Sequence, residues 1–308
     1  MAQDAKIAII LNRGSGHHKG TNRASLIRRT FEALQCGVRV YPLRKGSDIA
    51  ATVDKAIGNG ATTVVAAGGD GTICGVAESL SNRDVALGIL PLGTFNYFAR
   101  SLGIPMELEN AARVIASGHT SGIRLARIND RVFLNNASIG AYAAILDTRE
   151  GVYRRWGRSR LAAYWSVLRT LVTFRAPLKL TVTVDGQSHR CRTAIAFAVN
   201  NAYQLDQMGI EGRERIENGE LVLLIAPDTT RLGLMKHALL LALGRARKKT
   251  DYEMFCGRDI RIETRKRRRL VARDGEKERQ TGPFDLTIDP RPLQVVVPAN
   301  ADTTARAA

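Results

Sequence analysis

The sequence predicts an α/β N-terminal domain built on a parallel sheet, followed by a mainly antiparallel, β-rich second domain. Three observations carry this. Through residue 125, short apolar runs alternate with helical stretches, the pattern of a parallel sheet with crossover helices. Three of those runs empty into glycine-bearing turns, at 12–16, 68–71 and 91–96. Beyond residue 131 the alternation stops and strands follow one another, with Asp185-Gly186 and Asp274-Gly275 as hairpin signals.

In order, a buried strand is expected over 7–11, a helix over 24–34, a strand over 38–43, a helix over 48–57 and a strand over 62–66. A helix then runs through 78–80, a strand covers 85–90, and a short helix opens near Phe98 and is stopped by Gly103 and Pro105. In the second half, a helical stretch spans 153–174 and strands span 178–184, 193–199 and 221–225. The domains expected are 1–125 and 126–298, with a frayed tail over 299–308.

Composition bounds the function. The 308 residues, 44% of them hydrophobic, suffice for two domains with substantial cores. Cys36, Cys74, Cys191 and Cys256 are scattered without a CxxC pair and the five histidines have no metal-ligand spacing, which fits a reducing compartment and argues against zinc. The apolar run near the start is too short for a signal peptide or a spanning helix, so a cytoplasmic protein is expected. A formal charge of +17, from 46 basic and 29 acidic residues, draws the chain to polyanions. Aromatic residues are not interleaved with the basic runs and no helix-turn-helix or zinc-finger pattern occurs, so nucleic acid is the weaker partner.

The turns carry the chemistry. Ligands of parallel sheets bind at the carboxyl ends of the strands, where all three turns fall. Gly68, Gly69 and Gly71 lack a Cβ, so the backbone there can take positive φ and turn its N–H groups on an anion at close range. Asp70 stands at the mouth of that cradle, and Thr72 is placed to cap the following helix or to donate to phosphate. The same glycines also fit an ordinary strand-to-helix turn. Gly14, Gly16 and Gly20 miss the GxGxxG spacing, Arg44 stands where a ribose-binding acid belongs, and Lys19 precedes Gly20, so neither a Rossmann fingerprint nor a Walker A loop is present.

LNRGSG at 11–16, GGDGT at 68–72 and LPLGTFNYFAR at 90–100 resemble, in order and spacing, the nucleotide-site motifs of the diacylglycerol kinase catalytic family, which includes bacterial lipid kinases and sphingosine kinases. GGDGT is shared with NAD kinases; the GTxNxFAR segment with the N-terminal NxxSG narrows the choice. The resemblance implies ATP and Mg²⁺ as cofactors, with Asn12, Ser15, Gly16, Gly68, Gly69, Asp70, Gly71, Thr72, Gly93, Thr94 and Asn96 at the nucleotide. It also implies a β-sandwich second domain and a lipid acceptor in a cleft between the domains. Asn136 or Ser138 of FLNNASIG either reaches the nucleotide or packs.

Asp274-Gly275-Glu276 matches a DGE in which the family's Glu is regarded as the base for the acceptor hydroxyl. Glu276 is the first choice for that role and Asp70, which takes it in sphingosine kinases, the second; Asp274 joins them as a candidate. As a plain hairpin turn, the same stretch would leave both acids in solvent. The loop over 215–220 resembles the structural-magnesium loop of bacterial members, with the carbonyls of Arg215 and Glu220 and the side chain of Asn218 as ligands. There Asn218 replaces the usual Asp. Tyr97, Cys74-Gly75 and Arg124 also stand where the family carries Asp, Asn-Glu and Asp.

The function expected is an ATP-dependent lipid kinase acting on diacylglycerol or a related lipid. The alternatives are an NAD kinase-like phosphotransferase with a soluble acceptor, and a catalytically weak nucleotide- or membrane-binding regulator, kept open by the missing acids. The basic runs RARKK at 245–249 and RKRRR at 265–269 read as a solvated face or as docking on an anionic membrane surface, hence a cytoplasmic, peripherally membrane-associated enzyme. Aromatic residues over 153–174 supply core or interfacial contacts. The sequence does not specify an oligomeric state.

Overall fold

The computed structural model describes residues 6–12, 14, 22–44, 48–140, 177–242 and 250–299. The expected tail over 299–308 apart from Ala299, the helical stretch over 153–174 and the RARKK run lie outside them. The chain divides into two compact units, Met1–Leu125 with Asp289–Ala308, and Ala126–Ile288.

In the first unit, β1 (Ile7–Asn12), β2 (Val38–Leu43), β3 (Thr63–Gly68) and β4 (Ala86–Pro91) are parallel neighbours in the order β2-β1-β3-β4. Their continuous apolar runs suit strands covered on both faces. Ile9, Ile10, Val64, Val65, Ala66 and Leu87 are all buried. Three crossover helices have clear local causes. In α1 (Arg23–Ala33), Ile27 and Phe31 are buried at helical i, i+4 spacing. Asp48 caps α2 (Ile49–Gly58), its side chain accepting the Ala50 amide at 2.8 Å. In α3 (Asp70–Leu80), Ile73, Val76, Ala77 and Leu80 form the buried face. A short α4 (Tyr97–Ser101), α5 (Leu108–Ser117) and β5 (Thr120–Ile123) follow.

The segment 289–298, which the sequence places with the second domain, returns to this first sheet. Its strand β18 (Leu293–Val296) pairs with β4 in parallel and with β5 antiparallel. Leu293, Val295 and Val296 are buried there, and a strand of four residues, three of them apolar, carries no local mark of which sheet will accept it.

The second unit consists of two six-stranded antiparallel sheets. One has the order β10-β9-β14-β17-β6-β7 and the other β13-β12-β11-β8-β15-β16. The strands are β6 (Ala126–Ile128), β7 (Arg131–Phe133), β8 (Asn136–Gly140), β9 (Leu178–Val184), β10 (Gln187–Thr193), β11 (Ile195–Val199), β12 (Leu221–Ile225), β13 (Glu253–Gly257), β14 (Ile260–Thr264), β15 (Arg268–Arg273), β16 (Glu276–Thr281) and β17 (Phe284–Ile288). One apolar cluster takes Leu180, Val182, Ile260, Ile262 and Phe284 from the first sheet and Ala137, Ile139, Ala198, Leu223 and Val271 from the second, which makes the pair a sandwich. Helices α6 (Ala202–Gln207) and α7 (Arg213–Glu217) cover part of the outer face of the second sheet through Leu205 and Ile216, which pack with Val222 and Leu224. Helix α8 (Arg231–Ala242) follows β12.

The single strand expected over 193–199 divides at Ala194, where the chain passes from one sheet to the other. Thr193, fully buried, supports the crossing: its hydroxyl lies 2.8 Å from the Ile195 carbonyl, 2.7 Å from that of Ala226 and 3.0 Å from the Ile195 amide. Among the described residues, no helix is long and apolar enough to cross a membrane.

Candidate functional site

Strand order β2-β1-β3 reverses direction at β1, so the carboxyl ends of β1 and β3 flank a topological switch point. Asn12 ends β1 and Gly68 ends β3. The Asn12 amide Nδ2 donates to Thr72 Oγ1 at 2.9 Å, tying the first turn to the start of α3, while its Oδ1 accepts the Gly14 amide at 3.0 Å. Thr72 is buried and the N-cap is Gly69, so the threonine does not cap the helix; its hydroxyl is a post for Asn12. Ser15 and Gly16 lie outside the described residues.

The glycines of GGDGT act by size. The freedom to take positive φ is not used by Gly68, Gly69 or Gly71; Gly69 is extended, at φ −93° and ψ −176°. A Cβ on Gly68 would lie 2.5 Å from the Thr72 side chain. A Cβ on Gly93 would lie 2.5 Å from Gly69 Cα and 2.6 Å from Asn96 Oδ1. The second and third turns therefore touch backbone to backbone, and the Leu92 amide donates to the Gly68 carbonyl at 2.8 Å. The left-handed residue at this edge is Asn96, at φ 51°. Its side chain folds back on its own turn, Oδ1 accepting the Gly93 amide at 3.0 Å and Nδ2 donating to the Gly93 carbonyl at 3.0 Å. Thr94 is exposed beside it.

Asp70 occupies the first turn of α3, where the helix dipole favours a carboxylate, and its Oδ1 accepts the Phe98 amide of α4 at 3.4 Å. Tyr97, standing where the family carries Asp, stacks on Phe95 with ring centroids 5.7 Å apart and planes at 2°. Gly75, which stands where the family carries Glu, faces α2: a Cβ there would lie 2.8 Å from Ile49 Cδ1, so a larger side chain would displace that methyl. Arg124 is exposed. These residues fit a phosphate chain, through a helix N-terminus and tightly packed backbone turns. Among the described residues, no three His, Cys, Asp or Glu gather as metal ligands, and Asp70 is the carboxylate at this edge that would meet a divalent cation accompanying a phosphate chain.

In the second unit, β15 and β16 pair with Arg273 opposite Glu276, leaving Asp274-Gly275 as a two-residue turn with φ 45° and 86°. The two acids then diverge. Glu276 is exposed, whereas Asp274 is buried, where a plain hairpin turn would leave both acids in solvent. The Asp274 carboxylate accepts the amides of Leu134, Asn135 and Asn136 at 2.6, 2.8 and 3.1 Å, and its own amide donates to the Asn136 carbonyl at 3.0 Å. Behind the turn, Arg273 donates to the Val132 carbonyl at 2.7 Å, and its Nε lies 3.5 Å from Glu278.

A buried polar group that sequence reasoning did not find as a unit adjoins this turn. Asn201 Nδ2 donates to Asn135 Oδ1 at 2.7 Å, the Asn200 amide donates to the Asn135 carbonyl at 2.9 Å, and Asn136 Nδ2 donates to Gln204 Oε1 at 3.1 Å. Its signal was the doubled Asn-Asn-Ala, at 135–137 and 200–202. Asn136 Oδ1, Ser138 Oγ and Asn201 Oδ1 are buried without a hydrogen-bond partner among the described residues.

The 215–220 loop closes as a helix end. The Glu220 amide donates to the Arg215 carbonyl at 2.9 Å, and the Arg215 guanidinium lies 3.4 Å from the Glu220 carboxylate. Both acids of the loop are engaged by guanidinium groups, Glu217 with Arg213 at 3.0 Å and Glu220 with Arg215, and the side chain at the remaining ligand position, Asn218, is a neutral amide, a weaker ligand for a hard dication than a carboxylate.

An α/β unit with three turns on one sheet edge, continued by an antiparallel sandwich with an Asp-Gly-Glu turn, is the architecture of a two-domain kinase fold. The chain belongs to the diacylglycerol kinase catalytic-domain family: residues 6–128 match the diacylglycerol kinase catalytic domain, and residues 138–297 match the YegS C-terminal NAD kinase beta sandwich-like domain. It is 37% identical over 146 residues to a probable lipid kinase YegS-like from Klebsiella pneumoniae, covering 47% of this chain and 48% of that protein. It is 39% identical over 144 residues to a probable lipid kinase YegS from Escherichia fergusonii, covering 46% and 47%. These matches span about half the length of the curated relatives. A crystal structure of a diacylglycerol kinase from Bacillus anthracis str. Sterne shares the fold, with a TM-score of 0.68 at 18% identity over 96% of this chain and 98% of the other.

Proposed function

We propose that this protein is an ATP-dependent lipid kinase that transfers the γ-phosphoryl group to a hydroxyl of diacylglycerol or a related lipid. One observation carries the reading: three turns meet at a single sheet edge around the N-terminus of α3, locked by Asn12–Thr72 and by the Gly69–Gly93 approach. Such an edge binds a phosphate chain, because the dipole of α3 favours negative charge at its N-terminus and the glycines there let the charge approach the backbone without a side chain in between. Asp70, whose Oδ1 accepts the Phe98 amide, would hold the cation that accompanies the phosphates and neutralises their charge.

The acceptor oxygen forms its bond to the γ-phosphorus as the bond to the bridging β-oxygen breaks, and ADP leaves. The hydroxyl proton goes to a carboxylate. Glu276 is the better candidate, because it is exposed and no amide donor to it occurs among the described residues, whereas the Asp274 carboxylate is taken up by three. Asp274 is thus a positioning residue. The lipid acceptor and the charge of +17 together favour work at an anionic membrane surface. The Phe95–Tyr97 stack, set where the family carries an acid, favours the second reading of a catalytically weak regulator.

The test gives the purified protein labelled ATP, Mg²⁺ and a panel of diacylglycerol, sphingoid base, ceramide, phosphatidylglycerol and NAD, beside Asp70→Asn and Glu276→Ala. Transfer to a lipid that both variants lose is expected. Transfer to NAD alone would overturn the lipid reading, and nucleotide binding without transfer would make the protein a regulator.

A further inference from the structure

The sheet β10-β9-β14-β17-β6-β7 has one face in the sandwich core; strand alternation turns the other outward. On that open face Lys179 of β9 pairs across the ladder with Arg192 of β10, and Thr181 pairs with Arg190 on one side and Glu263 on the other. These residues, with Arg265 just beyond β14, line a cavity of about 510 Å³. Four basic groups there face one acid, so the formal balance is +3. Lys266, Arg267 and Arg268 continue the charge, all exposed.

A face that needed only to be wetted would alternate its signs. Like charges directly opposite on neighbouring strands destabilise a sheet, yet Lys179 stands opposite Arg192. Arg192 is also 3.0 Å from Asp228, but both side chains are about half exposed, and such a pair holds little. The arginine stays available to an outside anion. The named cavity residues include no aromatic ring on which a base would stack, which disfavours single-stranded nucleic acid. A sheet face carrying guanidinium forks matches a plane of phosphate headgroups.

We propose that this face docks the protein on an anionic phospholipid bilayer, with lipid phosphates held in the cavity that Arg190 and Arg265 share. The inference deepens the lipid-kinase reading, on which it rests for its choice of polyanion. Because the face is polar, the attachment is electrostatic and weakens with salt.

The protein would be sedimented with phosphatidylcholine vesicles containing or lacking phosphatidylglycerol, at low and high salt. Arg190→Ala and Arg265→Ala are each expected to lower partitioning onto the anionic vesicles by about fivefold, at about one kilocalorie per mole for each basic residue at the surface. Arg28→Ala and Arg29→Ala on α1, which make the same charge change at exposed positions, are expected to stay within about twofold, and thermal melts would confirm that all four variants fold. Equal losses in both pairs would overturn the proposal, as would tighter binding to single-stranded RNA that Arg190→Ala and Arg265→Ala abolish. Phosphoryl transfer to detergent-dispersed lipid, measured alongside, separates the two readings. Site-specific vesicle loss without any transfer keeps the docking face and removes the kinase; transfer with vesicle binding insensitive to both substitutions removes the docking face alone.

Discussion

Asp274 Oδ2 accepts the Leu134 amide at 2.6 Å across 140 residues of sequence, and the same carboxylate takes the next two amides as well. That contact fixes the β15–β16 turn to the chain entering β8, and the turn in turn presents Glu276. The two acids of the turn therefore answer different experiments. Asp274→Asn, which turns an amide NH₂ toward backbone donors, is expected to cost about 2–4 kcal/mol, since each hydrogen bond to a charged group contributes about 1.5–3 kcal/mol and buried donors are left unmade. Glu276→Gln, at an exposed position, is expected to leave stability within about 0.5 kcal/mol and to slow lipid phosphorylation by about 10²–10⁴. Urea denaturation and initial rates at saturating ATP check the pair. A large stability loss in Glu276→Gln would remove the division of roles.

The glycine turns give a steric prediction. Gly93→Ala places a Cβ 2.5 Å from Gly69 Cα, a backbone atom that cannot swing aside. It is expected to cost about 1–3 kcal/mol, the range of overpacked cores, and to weaken ATP binding by spreading the second and third turns. Gly58→Ala, at the end of α2 with nothing within 4 Å, is expected to be neutral or to stabilise by up to about 1 kcal/mol. Melting temperatures with and without nucleotide test the contrast.

The legible parts of this chain were local. Apolar runs such as 7–11 and 85–90 announced their strands, and the turns after them announced the edge where a ligand binds, because strand, turn and helix signals lie within a dozen residues. What escaped was set by distant partners. Gly69 and Gly93 are glycines because they meet each other, 24 residues apart, and a sequence read locally gives positive φ as the only reason for them. The burial of Asp274 depends on amides 138 to 140 residues upstream. Thr193 marks a crossing between sheets, and β18 returns to the first sheet; neither leaves a mark in composition.

The Asn12–Thr72 bond is expected to couple the first two turns. Asn12→Ala and Thr72→Val each remove it, and a double-mutant cycle is expected to return about 0.5–1.5 kcal/mol of interaction energy, the usual range for a hydrogen bond between neutral groups. The readout is denaturation of the nucleotide-free protein, so the result does not depend on activity. A coupling near zero would mean that the turns are positioned independently.

Burial, with Glu253 adding to it, raises the Cys191 thiol above its ordinary value of 9.0, and burial likewise raises Tyr252 above 10.0. Both groups are neutral when protonated. In the folded chain they hold their protons to higher pH than when unfolded, so their contribution to stability is present below the ordinary values and is lost as pH rises through the folded ones. Stability is therefore expected to fall with pH above about 9, and Cys191→Ser is expected to flatten the first part of that fall while leaving neutral-pH stability nearly unchanged. The thiolate is the reactive form, so iodoacetamide at pH 8 is expected to modify Cys191 more slowly than a thiol of ordinary pKa in an unfolded control of the same chain. Peptide mass spectrometry reads the two rates; faster labelling of Cys191 in the folded protein would mean that it sits in an electropositive, solvent-open setting, and that Arg190 and Arg192 beside it outweigh burial.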